Sequence, residues 1–428
     1  MRTHPLVRRR ATILATALAI VIGVSTMTLA LAWATTCASS TGTPCVRQFA
    51  GQPTWGFDDR VRTMVRVGGT VFVGGRFTHA SLVDPDGSVS QTVERDHLAA
   101  LDVSTGALLD WAPRIDTSGT ENGDIYSLVT YASGSTTWVI AAGDFTSVET
   151  TSNGSSYSTA TRDHVAAFAN DQYGTLTSFA PDVSHRPRAA LVSGSTLYLG
   201  GSFAKIDGQR RSALGAVTLP SGAVTQWAPA ANGGVDGLAQ LANGNIAIAG
   251  EFTSVSDGSR STSTPYLAVV SPAGVLAWTA TSTAPTAKAL AVATNNDTVY
   301  IGEGLNGNAV GAFNGETGTR LWEKGTNGDV QAVGFAGGEV IAGGHFGKFL
   351  NQNGTTVKIK KLAALDPATG LVDTGWKPGV APATTLGVWG IAGTDGSNPD
   401  KLFIGGDFMS LKQYPSWRFG EYDVPGGS

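Results

Sequence analysis

The chain has 428 residues, of which 42% are apolar and only 14% charged, with 56 glycines and two cysteines. That composition excludes a highly charged disordered chain and a disulfide-stapled miniprotein, and it leaves ample apolar material for a buried core. The net charge of −4 becomes −8 once residues 1–34, with four arginines and no acid, are set aside. A mildly acidic body of this kind is expected to have no nucleic-acid partner and no affinity for an anionic membrane surface.

In chain order, Arg8, Arg9 and Arg10 precede an uncharged apolar run over residues 11–34 that ends in Ala32-Trp33-Ala34. A basic start, an apolar stretch and a small-x-small site form the pattern of an export signal. Left uncut, the run is long enough to span a bilayer. Residues 1–34 are therefore read as a signal peptide or membrane anchor. The remainder is read as secreted, or as held outside the cytoplasmic membrane by residues 11–34. Residues 35–51 read as a Ser/Thr/Gly-rich linker carrying Cys37 and Cys45. A disulfide between these two would stabilise by roughly 2–3 kcal/mol; unpaired or lipid-linked cysteines are the other reading. Two ligands with no histidine beside them predict no metal site.

From residue 52 onward the sequence repeats. VFVGGRF (71–77) is echoed by VIAAGDF, LYLGGSF, IAIAGEF, VYIGEGL, VIAGGHF and LFIGGDF, seven copies in all. Each is a short apolar strand running into small residues that let another backbone approach. A second element follows each copy: LAALDVSTG (98–106) and its relatives, an apolar strand and a Gly-ended turn, then an aromatic such as Trp111, Phe179, Trp227, Trp278, Trp322 or Trp376. Short strands at a period of about fifty residues mean radial repetition. The expected fold is all-β: a seven-bladed β-propeller of four-stranded blades over residues 52–428. Strand A precedes the Gly-Gly run, B carries it, C is the LAALD strand and D ends in the aromatic. The last repeat stops after strand C, while PTWGF (53–57) supplies an aromatic before the first strand A. Residues 52–57 are therefore expected to complete the last blade as its strand D, closing the ring and removing open edges.

The repeats lie at about 60–116, 124–183, 187–232, 235–283, 287–328, 329–380 and 385–424, the fifth being the shortest. Long insertions fall in the B–C loops of repeats one, two, four and six, so they crowd one face. Loops on a rigid scaffold carry binding residues. The second residue of strand A is expected at the mouth of a central channel: Arg62, Tyr126, Arg188, Asp236, Lys288, Gln331 and Trp389. The copies agree elsewhere and differ here, as either a specific ligand site or a solvated channel lining would. Three cations and two aromatics favour an anionic or carbohydrate ligand.

Other chemistry-bearing residues read as scaffold. Arg95-Asp96-His97 and Arg162-Asp163-His164 precede strand C at the place where repeat three has Arg211-Ser212-Ala213. Asp144, Glu251 and Asp407, between Gly-Gly and Phe, are expected in ion pairs rather than as the paired acids of a glycosidase. Asp84-Pro85-Asp86-Gly87 and Asp395-Gly396 lack the ligand count of a calcium loop. No nucleophile elbow, P-loop or HExxH occurs.

Gly74–Phe77, LAALDVSTG and Trp111-Ala112-Pro113 together resemble the exported bacterial β-propellers of the delta-60 repeat type, over about residues 52–424. That resemblance implies the propeller fold and export, and no established general activity. AFNGETGTRLWE (312–323) also resembles the tryptophan repeat of pyrroloquinoline-quinone propellers. Those enzymes typically have eight blades and an adjacent cysteine pair, which this chain lacks, and no cofactor is expected. The function expected is a monomeric, non-catalytic binder of a protein or glycan partner through the face bearing the long B–C loops. The alternative is a secreted glycan hydrolase or lyase, or a quinone-type redox enzyme, on the same scaffold.

Overall fold

The computed structural model describes residues 45–46, 53–116, 123–280, 288–305, 307–350, 355–382, 387–392 and 401–423. All lie within one unit, Ala32–Ser428. The signal or anchor segment, Cys37 and Asp395-Gly396 fall outside the described residues. The described elements are all strands and turns, and no helix among the described residues is long and apolar enough to cross a membrane.

Each repeat builds one antiparallel sheet in the order A-B-C. In repeat one, Val61–Val67 pairs with Thr70–Gly75, which pairs with Leu98–Asp102. Strand D follows as a full strand in repeats four and five (Leu276–Thr279, Arg320–Gly325). Elsewhere it follows as a single bridge such as Leu101↔Leu108 or Val217↔Val224. The B strands are buried along nearly their whole length, which is why they read as unbroken apolar runs rather than alternating ones.

The core lies between sheets. Phe72, Leu98 and Trp111 of repeat one pack with Ile125, Leu128 and Val139 of repeat two, and corresponding clusters join each repeat to the next. A further cluster joins Phe403 of repeat seven to Val61, Val71 and Val73 of repeat one. The paired small residues serve this packing. A Cβ on Gly74 would stand 2.7 Å from Ile125 Cγ2 of the next sheet, and one on Gly75 would stand 2.1 Å from Arg60 O of its own strand A lead.

The tryptophans bridge neighbouring sheets. Trp111, Trp227, Trp278 and Trp322 donate Nε1–H to Ala169, Ser271, Gly315 and Pro367 oxygens at 3.0, 3.0, 2.6 and 2.9 Å, each at the C–D corner of the following repeat. These rings are scaffold: their apolar bodies fill the core and their one donor is satisfied.

A second set of small sheets forms a rim. In every repeat but the fifth, among the described residues, the segment entering strand A pairs with the B–C hairpin of the same repeat. Thr54–Phe57 joins His79–Val83 and Val89–Glu94, Arg114–Asp116 joins Ser147–Thr151 and Tyr157–Thr161, and Ala230–Ala231 joins Ser254–Ser256 and Ser261–Ser263. Val380–Pro382 joins Phe408–Leu411 and Tyr414–Pro415 in the last repeat. Because D–A segments and B–C hairpins pair with one another, they share one face.

This corrects the expectation for residues 52–57. Thr54–Phe57 is the first rim strand, not strand D of the last repeat. The outer edge of the last sheet is taken by Cys45–Val46, pairing Cys45↔Asp423 and Val46↔Tyr422, so these two residues belong to a strand rather than to the linker. Register is the reason. Val46↔Tyr422 stands where Leu108↔Leu101 stands in repeat one. Three residues on from Leu108 is Trp111; three on from Val46 in the sequence is Phe49, not Trp55.

Candidate binding site

Strand A slips against strand B near its start in every repeat. The register jumps between Val61/Thr63, Pro187/Ala189, Val235/Gly237, Ala289/Ala291, Val330/Ala332 and Val388/Gly390. In repeat two Ile125↔Gly143 and Ser127↔Ala142 leave Tyr126 out. A bulge takes one residue out of the ladder and re-aims its side chain. The residues so displaced are Arg62, Tyr126, Arg188, Asp236, Leu290, Gln331 and Trp389, and all seven line one cavity of about 490 Å³. That volume suits a small ligand or a few side chains.

Six of the seven positions expected from the repeats are thus brought together. Lys288 is the exception: it pairs with Gly304, two residues before the bulge, and Leu290 takes its place. Counting back from the A–B turn, as in repeats one and six, gives the position in repeat five. Val67 to Arg62 and Ala336 to Gln331 are each five residues, and the same count from Asn295 gives Leu290. Anchoring at the start of the strand misplaced it, because strand A of repeat five begins two residues before the bulge where strand A of repeat one begins one before.

The two arginines are not free charges. Arg62 Nε and Nη2 donate to Asp124 Oδ1 and Oδ2 at 2.8 and 2.9 Å, and its guanidinium lies 5.0 Å from the ring centroids of both Tyr126 and Trp389. Arg188 Nη1 donates to Asp236 Oδ1 at 2.7 Å and lies 3.6 Å from Glu251 Oε1. Burial works against the Arg188 charge, but Asp236 and Glu251 outweigh it and hold its pKa above the usual value. Burial likewise pushes the Tyr126 hydroxyl up. Asp236, Glu251 and Asp329 also line the cavity. Among the described residues lining the cavity, both arginines are engaged by carboxylates, so neither stands as an isolated positive charge.

The remaining candidates sit in scaffold roles. Arg95, Arg162 and Arg211 each donate Nη2 to a strand D oxygen, those of Leu109, Thr177 and Thr225. His97, His164 and Ala213 share the left-handed conformation, with φ of 69°, 69° and 64°. Burial pushes both imidazoles down and keeps them neutral. Asp144 is held by Arg186 at 3.2 Å, and Asp407 faces Lys361 and Arg418. Of the Gly-Gly-x-Phe acids only Glu251 reaches the cavity. Asp84–Ser88 is a turn closed by its own backbone, Asp84 N to Ser88 O at 2.8 Å. Among the described residues no group of three or more His, Cys, Asp or Glu gathers to hold a metal.

Glu303 is a residue that the repeat reading missed. It is buried, 3.3 Å from Arg320 Nη2, and burial outweighs that partner, pushing its pKa up to about 7. The folded state therefore keeps a proton that the unfolded chain has already released. Stability is greatest below the unfolded value and is lost as pH rises through about 7. Relative to Glu303→Gln, the native chain should lose up to about 3 kcal/mol between pH 4.5 and 8. Urea unfolding of both at each pH checks this, and a pH-independent difference would contradict it.

No protein-family model matches the chain, and no curated protein does. Among solved structures, it is similar to the WD40 β-propeller domain of Doa1 at a TM-score of 0.51 and 9% identity, covering 87% of this chain and 95% of that one. The fold is propeller-like. The computationally designed Ika8 protein also matches, at a TM-score of 0.48 and 11% identity over 87% of this chain and 99% of that one.

Proposed function

We propose that the chain is an exported, monomeric, seven-bladed propeller of the delta-60 repeat type that binds a protein or glycan partner without catalysis, through the face bearing the rim hairpins. What supports closure is that the junction between repeats seven and one repeats the internal junctions. A Cβ on Gly405 would meet Val61 Cγ1 at 2.5 Å, as one on Gly74 would meet Ile125 at 2.7 Å. Phe57 N bonds to Trp417 O at 3.0 Å, as Ile115 N bonds to Asp96 O at 3.2 Å and Ala231 N to Ser212 O at 3.1 Å.

The observation that carries the functional reading is the ring of bulged residues. Seven equivalent positions with dissimilar side chains converge on one cavity. The bulges lie at the start of strand A, where the D–A segments arrive, so the cavity opens on the rim face. Glycan and protein arrays probed with the native chain and with the triple variant Arg62→Gln, Arg188→Gln, Trp389→Ala test it. The variant is expected to lose its partner by tenfold or more, about 1.4 kcal/mol, while keeping its circular-dichroism spectrum. Unchanged binding would remove the cavity from the site.

A further inference from the structure

The ring of bulged side chains carries more hydrogen-bond donors than it uses. An arginine has five N–H groups. Arg62 spends two on Asp124 and Arg188 one on Asp236; among the described residues the rest have no hydrogen-bond partner. Trp389 Nε1 and Gln331 Oε1 are buried without a partner as well, and all four residues line the cavity. Asp236 and Glu251 hold contacts beyond Arg188, so what the wall leaves unspent is carried by arginine, indole and amide groups. These groups are held in place. The Arg62 guanidinium lies 5.0 Å from the ring centroids of both Tyr126 and Trp389, and its two bonds to Asp124 fix its plane. A donor fixed beforehand costs little to order when a ligand arrives.

Pairing decides what such donors receive. An anion would have to compete with Asp124 and Asp236 for the arginines that they already hold, and a cation would have to compete with the arginines for those acids. A hydroxyl does neither. It accepts an unspent N–H and donates its own proton onward, to a remaining carboxylate lone pair or to Gln331 Oε1. The ligand that fits carries several such oxygens round a compact body with apolar C–H faces. Leu290 and Leu305 line the same cavity, and Leu305 is 49% exposed. A peptide segment is the poorer match, since each carbonyl it brings comes with an N–H that needs an acceptor. We propose that the cavity takes one sugar ring of a glycan. Its hydroxyls meet the unspent donors of Arg62, Arg188 and Trp389 and the Gln331 amide, and a C–H face rests against Leu305. This rests on the cavity being the binding site of the rim face, and it narrows the partner to a glycan.

The test titrates the native chain, followed by ligand-observed NMR, with the methyl pyranosides of glucose, galactose, mannose, xylose, fucose and N-acetylglucosamine in both anomers. Cyclohexylmethanol serves as a ring of similar size without the hydroxyls, and acetyl-Gly-Gly-amide as the peptide probe. At least one glycoside should bind more tightly than about 10 mM, and roughly tenfold ahead of both controls. Added salt should leave its affinity unchanged, because no ion pair forms or breaks. Arg62→Lys keeps a positive charge opposite Asp124 but loses the fork of further N–H groups, and Gln331→Leu removes the amide at similar size. Each variant, accepted once its melting midpoint is native, should weaken the bound glycoside about fivefold. The proposal is overturned if no glycoside binds more tightly than about 10 mM, if cyclohexylmethanol binds as well, or if both variants keep the native affinity. An array partner that proves to be a protein and is lost in the triple variant, while no glycoside binds, would leave the cavity as the binding site and sink the sugar assignment.

Discussion

Deleting Thr54–Phe57 should lower the unfolding midpoint sharply, and Phe57→Ala alone should account for most of the loss. Phe57 is fully buried. Its ring centroid lies 4.3 Å from that of Phe77 in its own repeat and 6.4 Å from that of Phe419 in the last. Its backbone is held by the last repeat on both sides, N–H to Trp417 O at 3.0 Å and C=O from Arg418 Nη1 at 2.6 Å. Truncating such a phenylalanine costs about 3–5 kcal/mol, and the deletion adds the loss of both hydrogen bonds and the edge on His79–Val83. Denaturant melts of the two variants against the native chain give the comparison. A loss under about 1 kcal/mol in both, the range of ordinary surface changes, would mean that the segment does not tie the ends together.

The second large effect compares two glycines. Gly74→Val forces a side chain into Ile125 across the junction of repeats one and two. Gly405→Val does the same to Val61, whose Cγ1 and O would lie 2.5 and 2.9 Å from the new Cβ. Each is expected to cost about 3 kcal/mol, the upper part of the overpacking range, because the neighbour is a branched side chain packed on a strand and cannot swing away. The comparison is diagnostic. In a closed ring the two variants lose similar stability. In a ring open between its ends, Gly74→Val still destabilises and Gly405→Val does not, since the sheets can part there.

Much of the site was legible because repetition supplies its own alignment. Six of the seven bulged residues followed from one offset, and the seventh failed for an identifiable reason. Repeat five puts Glu303 at the place of the second small residue, and its strand A extends two residues beyond the bulge to pair Lys288 with Gly304. The count of five back from the end of strand A that holds in repeats one and six gives Leu290 in repeat five. The segment 52–57 misled in a similar way. Its Trp55 looks like the D-strand aromatic, yet the spacing from the ladder pair Val46↔Tyr422 points to Phe49. An aromatic alone does not set register; the pairing partner does.

The wall chemistry was not legible. Counting Arg62, Arg188 and Lys288 as a basic ring treats side chains as independent. Asp124, Asp236 and Glu251 reach the two arginines only once strand A bulges and neighbouring repeats pack side by side. Asp124 and Arg62 lie far apart in the chain, and nothing local couples them.

The sequence by itself determined the strands, the turns, the number of copies and the face on which insertions gather, because each follows from patterns within a single repeat. Apolar runs, Asx-Gly turns and small-residue pairs act over a few residues and recur at one spacing. Tertiary structure alone decided which end segment edges the last sheet, which residue of repeat five sits at the bulge, and which carboxylates engage the two arginines. Those outcomes depend on contacts between repeats, where a one-residue bulge redirects a side chain and a carboxylate from the next repeat cancels an arginine.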